Sequence, residues 1–189
     1  MANVRLFFAV DTPGPVRSRI AALSQALQES GANVKWEPPA KLHCTVRFLG
    51  DTNPDLLDVL KEKASVLSSS TPVLLIRYRG LGCFPSQKDP RVVWVGMEDP
   101  EGSLAALHRS LDCALTTLGF EPERKPFHPH LTLGRVRGRR NLDHLIRLLE
   151  TLTLENEPAP LTELLLVKSD LQLSGSVYTT LQAFPFCTR

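Results

Sequence analysis

Two four-residue strings, His43-Cys44-Thr45-Val46 and His130-Leu131-Thr132-Leu133, carry one pattern: histidine, any residue, threonine, apolar residue. Each lies in a run that reads as a β-strand, over residues 42–49 and 131–136, and each run has a helical pattern before it and another after it. Side chains alternate between the two faces of a strand, so a histidine and a threonine two apart point the same way. Each string therefore offers an imidazole and a hydroxyl on one face and apolar residues on the other. A chain that repeats helix, strand, helix around such a pair in both halves is suited to bring two polar faces together about one point.

The remaining pattern is consistent with that plan. Residues 4–10 predict a strand apolar on both faces. Asp11-Thr12-Pro13-Gly14-Pro15 punctuates, with Asp11 or Thr12 placed to cap a helix marked by Val16, Ile20, Leu23 and Leu27 and stopped by Gly31. A short strand over 34–36 ends at Pro38-Pro39. Asn53-Pro54 opens a second helix through Leu56, Leu60, Ala64 and Leu67, closed by the serines 68–70. Two β-rich stretches, 73–84 and 92–97, precede the clearest amphipathic stripe, Leu104, Leu107, Leu111, Ala114 and Leu118, which Gly119 terminates. After the second motif come a helix marked by Leu142, Leu145, Leu149 and Leu152, and a closing hairpin of 164–173 and 177–184 about Ser174-Gly175-Ser176. The reading is α+β, with two sheets in one bilobal body over residues 1–189 and helices packed outside. Strand order is not legible from the sequence.

Composition narrows the function classes. Lys and Arg number 22 against 20 Asp and Glu, a net charge of +2. A protein that tracks a long polyanion usually carries a larger basic excess. No apolar run approaches the roughly 20 residues that span a bilayer, and the N-terminal residues lack the layout of a signal peptide. The four scattered cysteines, Cys44, Cys83, Cys113 and Cys187, read as small core residues in a reducing compartment. A cytoplasmic protein with no membrane partner is expected.

Paired imidazoles and hydroxyls suit acid–base chemistry on a phosphate. Imidazole, with a reference pKa of about 6.5, can give or take a proton near neutral pH. In-line displacement at phosphorus needs one such group on each side, and hydroxyls can donate hydrogen bonds to the non-bridging oxygens. The longer strings Leu42-His43-Cys44-Thr45-Val46-Arg47-Phe48-Leu49-Gly50 and Phe127-His128-Pro129-His130-Leu131-Thr132-Leu133-Gly134-Arg135 resemble the paired signatures of the 2H phosphoesterase superfamily. The resemblance is to its LigT/ThpR group of RNA 2′,3′-cyclic phosphodiesterases, once named 2′-5′ RNA ligases. It runs from Arg5-Leu6-Phe7-Phe8-Ala9, through Gly82-Cys83-Phe84-Pro85 and Pro90-Arg91-Val92-Val93-Trp94-Val95-Gly96, to Tyr178-Thr179-Thr180-Leu181. Cys44 and Val46 depart from the leucines more usual beside that threonine.

The resemblance implies two mostly antiparallel sheets related by a pseudo-two-fold axis, with the active site in the cleft between lobes. It implies hydrolysis of RNA or nucleotide 2′,3′-cyclic phosphates to 2′-phosphates. His43 would be the proton donor and His130 the proton acceptor, with Thr45 and Thr132 beside them and no cofactor. The residues alone fix neither role, and the swapped assignment stays open. A monomer that does not act on DNA is expected.

Further residues are candidates for substrate binding. Arg47 shares a face with His43 by alternation. Arg135 falls on the face opposite His130 in an ideal strand and needs a bulge or twist to reach the site. His128 lies two before His130 and could touch a nucleotide; Phe84 could stack on a base. The His128-Pro129-His130 pair invites a metal reading, but no further ligand stands at suitable spacing. The run Arg135-Val136-Arg137-Gly138-Arg139-Arg140 suggests a positive lip beside the second motif. Other readings of such a cleft are the reverse reaction (2′-5′ ligation), an RNA-end-binding module without turnover, and a cyclic ADP-ribose phosphate substrate.

Overall fold

Strand β1 (Val4–Asp11) is apolar on both faces because each face has its own duty. Leu6, Phe8 and Val10 point into the main core, while Phe7 and Ala9 form a second small cluster with Val167 on the opposite face. A computed structural model describes residues 2–154, 158–173 and 175–188. In it β1 lies in a four-stranded sheet with β3 (His43–Thr52), β8 (Glu163–Gln172) and β9 (Gly175–Pro185), in the order β3-β1-β8-β9. The second sheet has the order β2-β6-β5-β4-β7, from β2 (Val34–Trp36), β4 (Leu74–Ser86), β5 (Asp89–Glu98), β6 (His130–Val136) and β7 (Ala159–Leu161). The paired strands in both sheets are antiparallel.

The sheets are not the two half-chains. The first takes its last two strands from the C-terminal hairpin, and the second takes β2 from the N-terminal half. Helices α2 (Leu57–Ser70) and α3 (Ser103–Thr116) pack on the first sheet, against β8, β9 and β3. Helix α4 (Leu142–Thr151) packs on β4 of the second sheet and also meets α1 (Gly14–Gln28). One continuous core contains residues of both sheets and all four helices, Leu6, Ile20, Leu60, Leu111, Leu133 and Leu145 among them.

Several sequence expectations change. Neither Asp11 nor Thr12 caps α1, whose first turn starts at Pro13 without a side-chain cap. Asp11 instead accepts from Arg17 Nη2 at 2.6 Å, and Thr12 Oγ1 donates to the Leu42 carbonyl at 2.9 Å, tying the end of β1 to the residue before His43. Strand β7 has no periodic signal because it is three residues long. Cys44 and Cys83 are buried, but Cys113 and Cys187 are exposed rather than core. The closing hairpin pairs Glu163↔Pro185 through Gln172↔Gly175. Ser174 of its expected turn lies outside the described residues.

Candidate active site

His43 opens β3 and His130 opens β6, and these two strands pack side by side where the sheets meet. Cys44, Val46, Leu131 and Leu133 point into the shared core, so alternation turns His43, Thr45, His130 and Thr132 the other way. All four line one cavity of about 170 Å³. Each histidine is held alike: His43 Nδ1 lies 2.7 Å from the Lys41 carbonyl, and His130 Nδ1 lies 2.7 Å from the His128 carbonyl. A carbonyl only accepts, so each Nδ1 carries the hydrogen, and Nε2 of the neutral ring keeps its lone pair. Ring contacts fix the planes. Phe7 stacks on His43 at 5.0 Å with Tyr178 edge-on at 5.1 Å, and Phe84 meets His130 edge-on at 5.0 Å. Neither threonine hydroxyl is tied to another described protein group.

A bulge interrupts each motif strand at the same place. In β3, Phe8 pairs with Arg47 and Ala9 with Thr45, leaving Val46 unpaired. In β6, Val93 pairs with Gly134 and Trp94 with Thr132, leaving Leu133 unpaired. The extra residue is the last of each His-x-Thr-x string, and it reverses the alternation beyond it. Arg135, five residues after His130, thereby reaches the cavity. Phe48, five after His43, reaches it too.

The same bulge corrects the expectation for Arg47. Arg47 is turned into the protein, 8% exposed. Its Nε bonds Asp112 Oδ1 on α3 at 2.7 Å, Nη1 donates to the Phe48 carbonyl at 2.7 Å, and Nη2 donates to the Glu121 carbonyl. With its donors engaged, it pins the bulge to α3 and to the segment leading to His128. His108 on α3 completes the anchorage: its Nδ1 meets the carbonyl of the bulged Val46 at 2.7 Å, and its ring stacks on Phe127 at 4.3 Å.

Phe84 and His128 lie beyond His130, lining an adjoining cavity of about 560 Å³ that also touches Thr45, Phe48 and Phe127. The His128 carbonyl orients His130, and its ring stays exposed. Among the described residues no three His, Cys, Asp or Glu side chains stand together as a metal site.

Burial lowers the pKa of both histidines. The His130 ring further disfavours the cation at His43, but carboxylates act only at His43. Asp11 and Glu37 act to restore the cation at His43, whereas the His128 ring and Arg135 disfavour it at His130.

A model described as the 2′-5′ RNA ligase superfamily matches residues 13–172, most of the chain. The chain belongs to this superfamily. Within it, the RNA 2′,3′-cyclic phosphodiesterase of Methanothermobacter thermautotrophicus is 36% identical over 183 residues, covering 96% of this chain and 98% of that protein. TT0787 of Thermus thermophilus superposes with a TM-score of 0.79 at 29% identity, over 96% and 97% of the two chains. Escherichia coli LigT, 23% identical, shares the fold with a TM-score of 0.77, over 98% of this chain and 99% of its own. The two-sheet architecture is thus that of the superfamily the paired motifs resemble.

Sequence reasoning named the two His–Thr pairs and Arg135 but missed Phe48, Lys41 and Tyr178 as lining residues, and His108 and Asp112 as anchors. A signal for Phe48 was present: aligning the two motifs in one frame sets it opposite Arg135. Tyr178 and Asp112 had none, since only the fold brings β9 and α3 to the motif strands.

Proposed function

We propose that this protein hydrolyses 2′,3′-cyclic phosphates at RNA ends, or on nucleotides, to 2′-phosphates, by paired-histidine acid–base catalysis. The observation that carries the proposal is the matched tethering of the two rings. Each Nδ1–H is committed to a backbone carbonyl, so each Nε2 is left for the one cavity they share. The reaction named for the methanobacterial relative supports the substrate class.

In this mechanism His130 Nε2 takes a proton from water as the water oxygen bonds to phosphorus. The bond from phosphorus to O3′ breaks, and His43 Nε2–H delivers its proton to O3′, giving a free 3′-hydroxyl and a 2′-phosphate. Solvent then returns both rings to their starting states. The charges favour this assignment over its reverse, because the acid needs its cation and has Asp11 and Glu37 near it, while the base must be neutral and has Arg135 near it. Thr45 and Thr132 hydroxyls donate to the non-bridging oxygens as charge grows there. With the 5′-hydroxyl of a second RNA in place of water, the same groups form the 2′-5′ linkage for which the superfamily is described: His130 takes the hydroxyl proton, O5′ bonds to phosphorus, and O3′ leaves with the proton from His43. One core spans both sheets, so the whole chain is taken to act as a single bilobal unit.

The test is turnover of the four 2′,3′-cyclic mononucleotides and a cyclic-ended RNA in the presence of chelator, with the product located by phosphorus NMR. Formation of 2′-phosphate is the expected result. No turnover, or a 3′-phosphate product, overturns the proposal.

A further inference from the structure

The balance of 22 basic and 20 acidic residues hides a local imbalance. From Arg124 to Leu142 the chain has six basic residues, Arg124, Lys125, Arg135, Arg137, Arg139 and Arg140, and no Asp or Glu. Four of the six follow the second motif, and the fold arranges them in order. Arg135 lines the catalytic cavity and pairs across the sheet with exposed Lys35 on β2, the edge strand. The Arg137 amide donates to the Asn33 carbonyl at 2.7 Å, which carries the pairing one step past the end of β6. Neighbouring strands lie about 5 Å apart, and residues two apart on a strand about 7 Å. A row of cations therefore leads from the cavity to the sheet edge and on to the turn holding Arg139 and Arg140. Among the described residues, no carboxylate pairs with the guanidinium of Arg135, Arg137, Arg139 or Arg140.

The other exit from the cavity is different in kind. It opens toward Phe48, Phe84 and Phe127, with Glu123, Lys125 and an Arg47 already paired to Asp112 and Glu123 in the same lining. A phosphodiester backbone would meet a mixed apolar surface there, and past β6 the guanidinium groups of Arg137, Arg139 and Arg140, which no carboxylate of the described residues pairs.

We infer that the strand upstream of the reacting end of a single-stranded RNA leaves the site across β6 and β2, with its phosphates on Arg137, Arg139 and Arg140. This rests on the cyclic-phosphate reaction proposed above and narrows its substrate to an oligonucleotide end. Phosphate contacts of this type release counterions and make affinity salt-dependent, with a slope near 0.7 per contact for single strands.

The experiment compares a cyclic mononucleotide with a cyclic-ended octaribonucleotide, in wild type and in Arg137→Gln/Arg139→Gln/Arg140→Gln. The expected result is a wild-type KM at least tenfold lower for the oligonucleotide. The triple variant should raise that KM by roughly tenfold and cut its log–log salt slope by about 2, while kcat and KM for the mononucleotide stay within twofold. Equal effects on both substrates, or no length preference in wild type, overturn the inference. An unreactive 3′-hydroxyl RNA should compete with the oligonucleotide; polyglutamate competing equally well at equal charge would mark a general anion surface and also overturn it. If wild type turns over neither substrate, the reaction proposal fails by itself. Fluorescence anisotropy with the labelled 3′-hydroxyl RNA then decides the inference, which stands if the triple variant loses tenfold in affinity and falls if it does not.

Discussion

Phe48 and Arg135 occupy the same place in the two halves of the site: each is five residues after its motif histidine, past a bulge on the fourth residue of the motif, and each lines the cavity that the two histidines share. They differ in charge, so their replacement should differ in kind. Arg135 disfavours the cation at His130. Removing its charge in Arg135→Gln should raise the His130 pKa and move the acid limb of kcat/KM to higher pH. Phe48→Ala should leave that limb in place and raise KM. A pH–rate series on both variants checks the contrast, and an unmoved acid limb in Arg135→Gln would count against it.

His43→Ala and His130→Ala should each reduce kcat by on the order of 10²–10⁴-fold, the usual contribution of a positioned acid or base. The double variant should be little worse than either single, because the two proton transfers serve one displacement. Single-turnover assays measure this directly. Activity of either single variant within tenfold of wild type would sink the two-histidine mechanism.

The pH dependence follows from the depressed histidine pKa values. The proposed mechanism requires a free enzyme with His43 protonated and His130 neutral. Both fall below the ordinary value of about 6.5, so kcat/KM should peak on the acid side of that value. The same shifts enter stability. The folded state binds fewer protons than the unfolded state near pH 6, so stability is complete above about 6.5 and declines as pH falls toward the folded pKa values. Thermal melts from pH 8 to 5 should show this decline. It should be shallower in each histidine-to-alanine variant.

Arg47 is predicted to matter for stability rather than for phosphate binding. Removing one partner of a buried ion pair typically costs about 3–5 kcal/mol, and Arg47 also satisfies the Phe48 and Glu121 carbonyls. Arg47→Ala should therefore lower Tm by roughly 10 °C in a chain of this size. Its KM for a cyclic mononucleotide, measured well below the melt, should change by less than about threefold. A large KM effect without a Tm effect would restore the phosphate role.

His108→Ala should destabilise by about 1–3 kcal/mol, the cost of leaving a buried carbonyl unpaired, because the Val46 carbonyl at the bulge loses its donor. It should also raise KM in the manner of Phe48→Ala, since the bulge sets where Phe48 points. His108→Phe, which can keep the stack on Phe127 but not the hydrogen bond, should show the same KM. Urea unfolding together with steady-state kinetics separates the two effects.

The sequence by itself determined the two motif strands, the helices around them and the common face of each His–Thr pair. These depend on local periodicity, and a period of two or 3.6 is written in consecutive residues. Even Arg135 could be marked as needing a bulge. Only the tertiary structure decided that Arg47 turns inward and Phe48 outward, that the C-terminal hairpin joins His43's sheet, and that Asp11 and Arg135 set opposite electrostatic biases on the two imidazoles. A bulge exists only where two residues of one strand oppose one of another, and ion pairs such as Arg47–Asp112 join positions 65 residues apart. Both arise from pairing across space, which no run of neighbouring residues encodes.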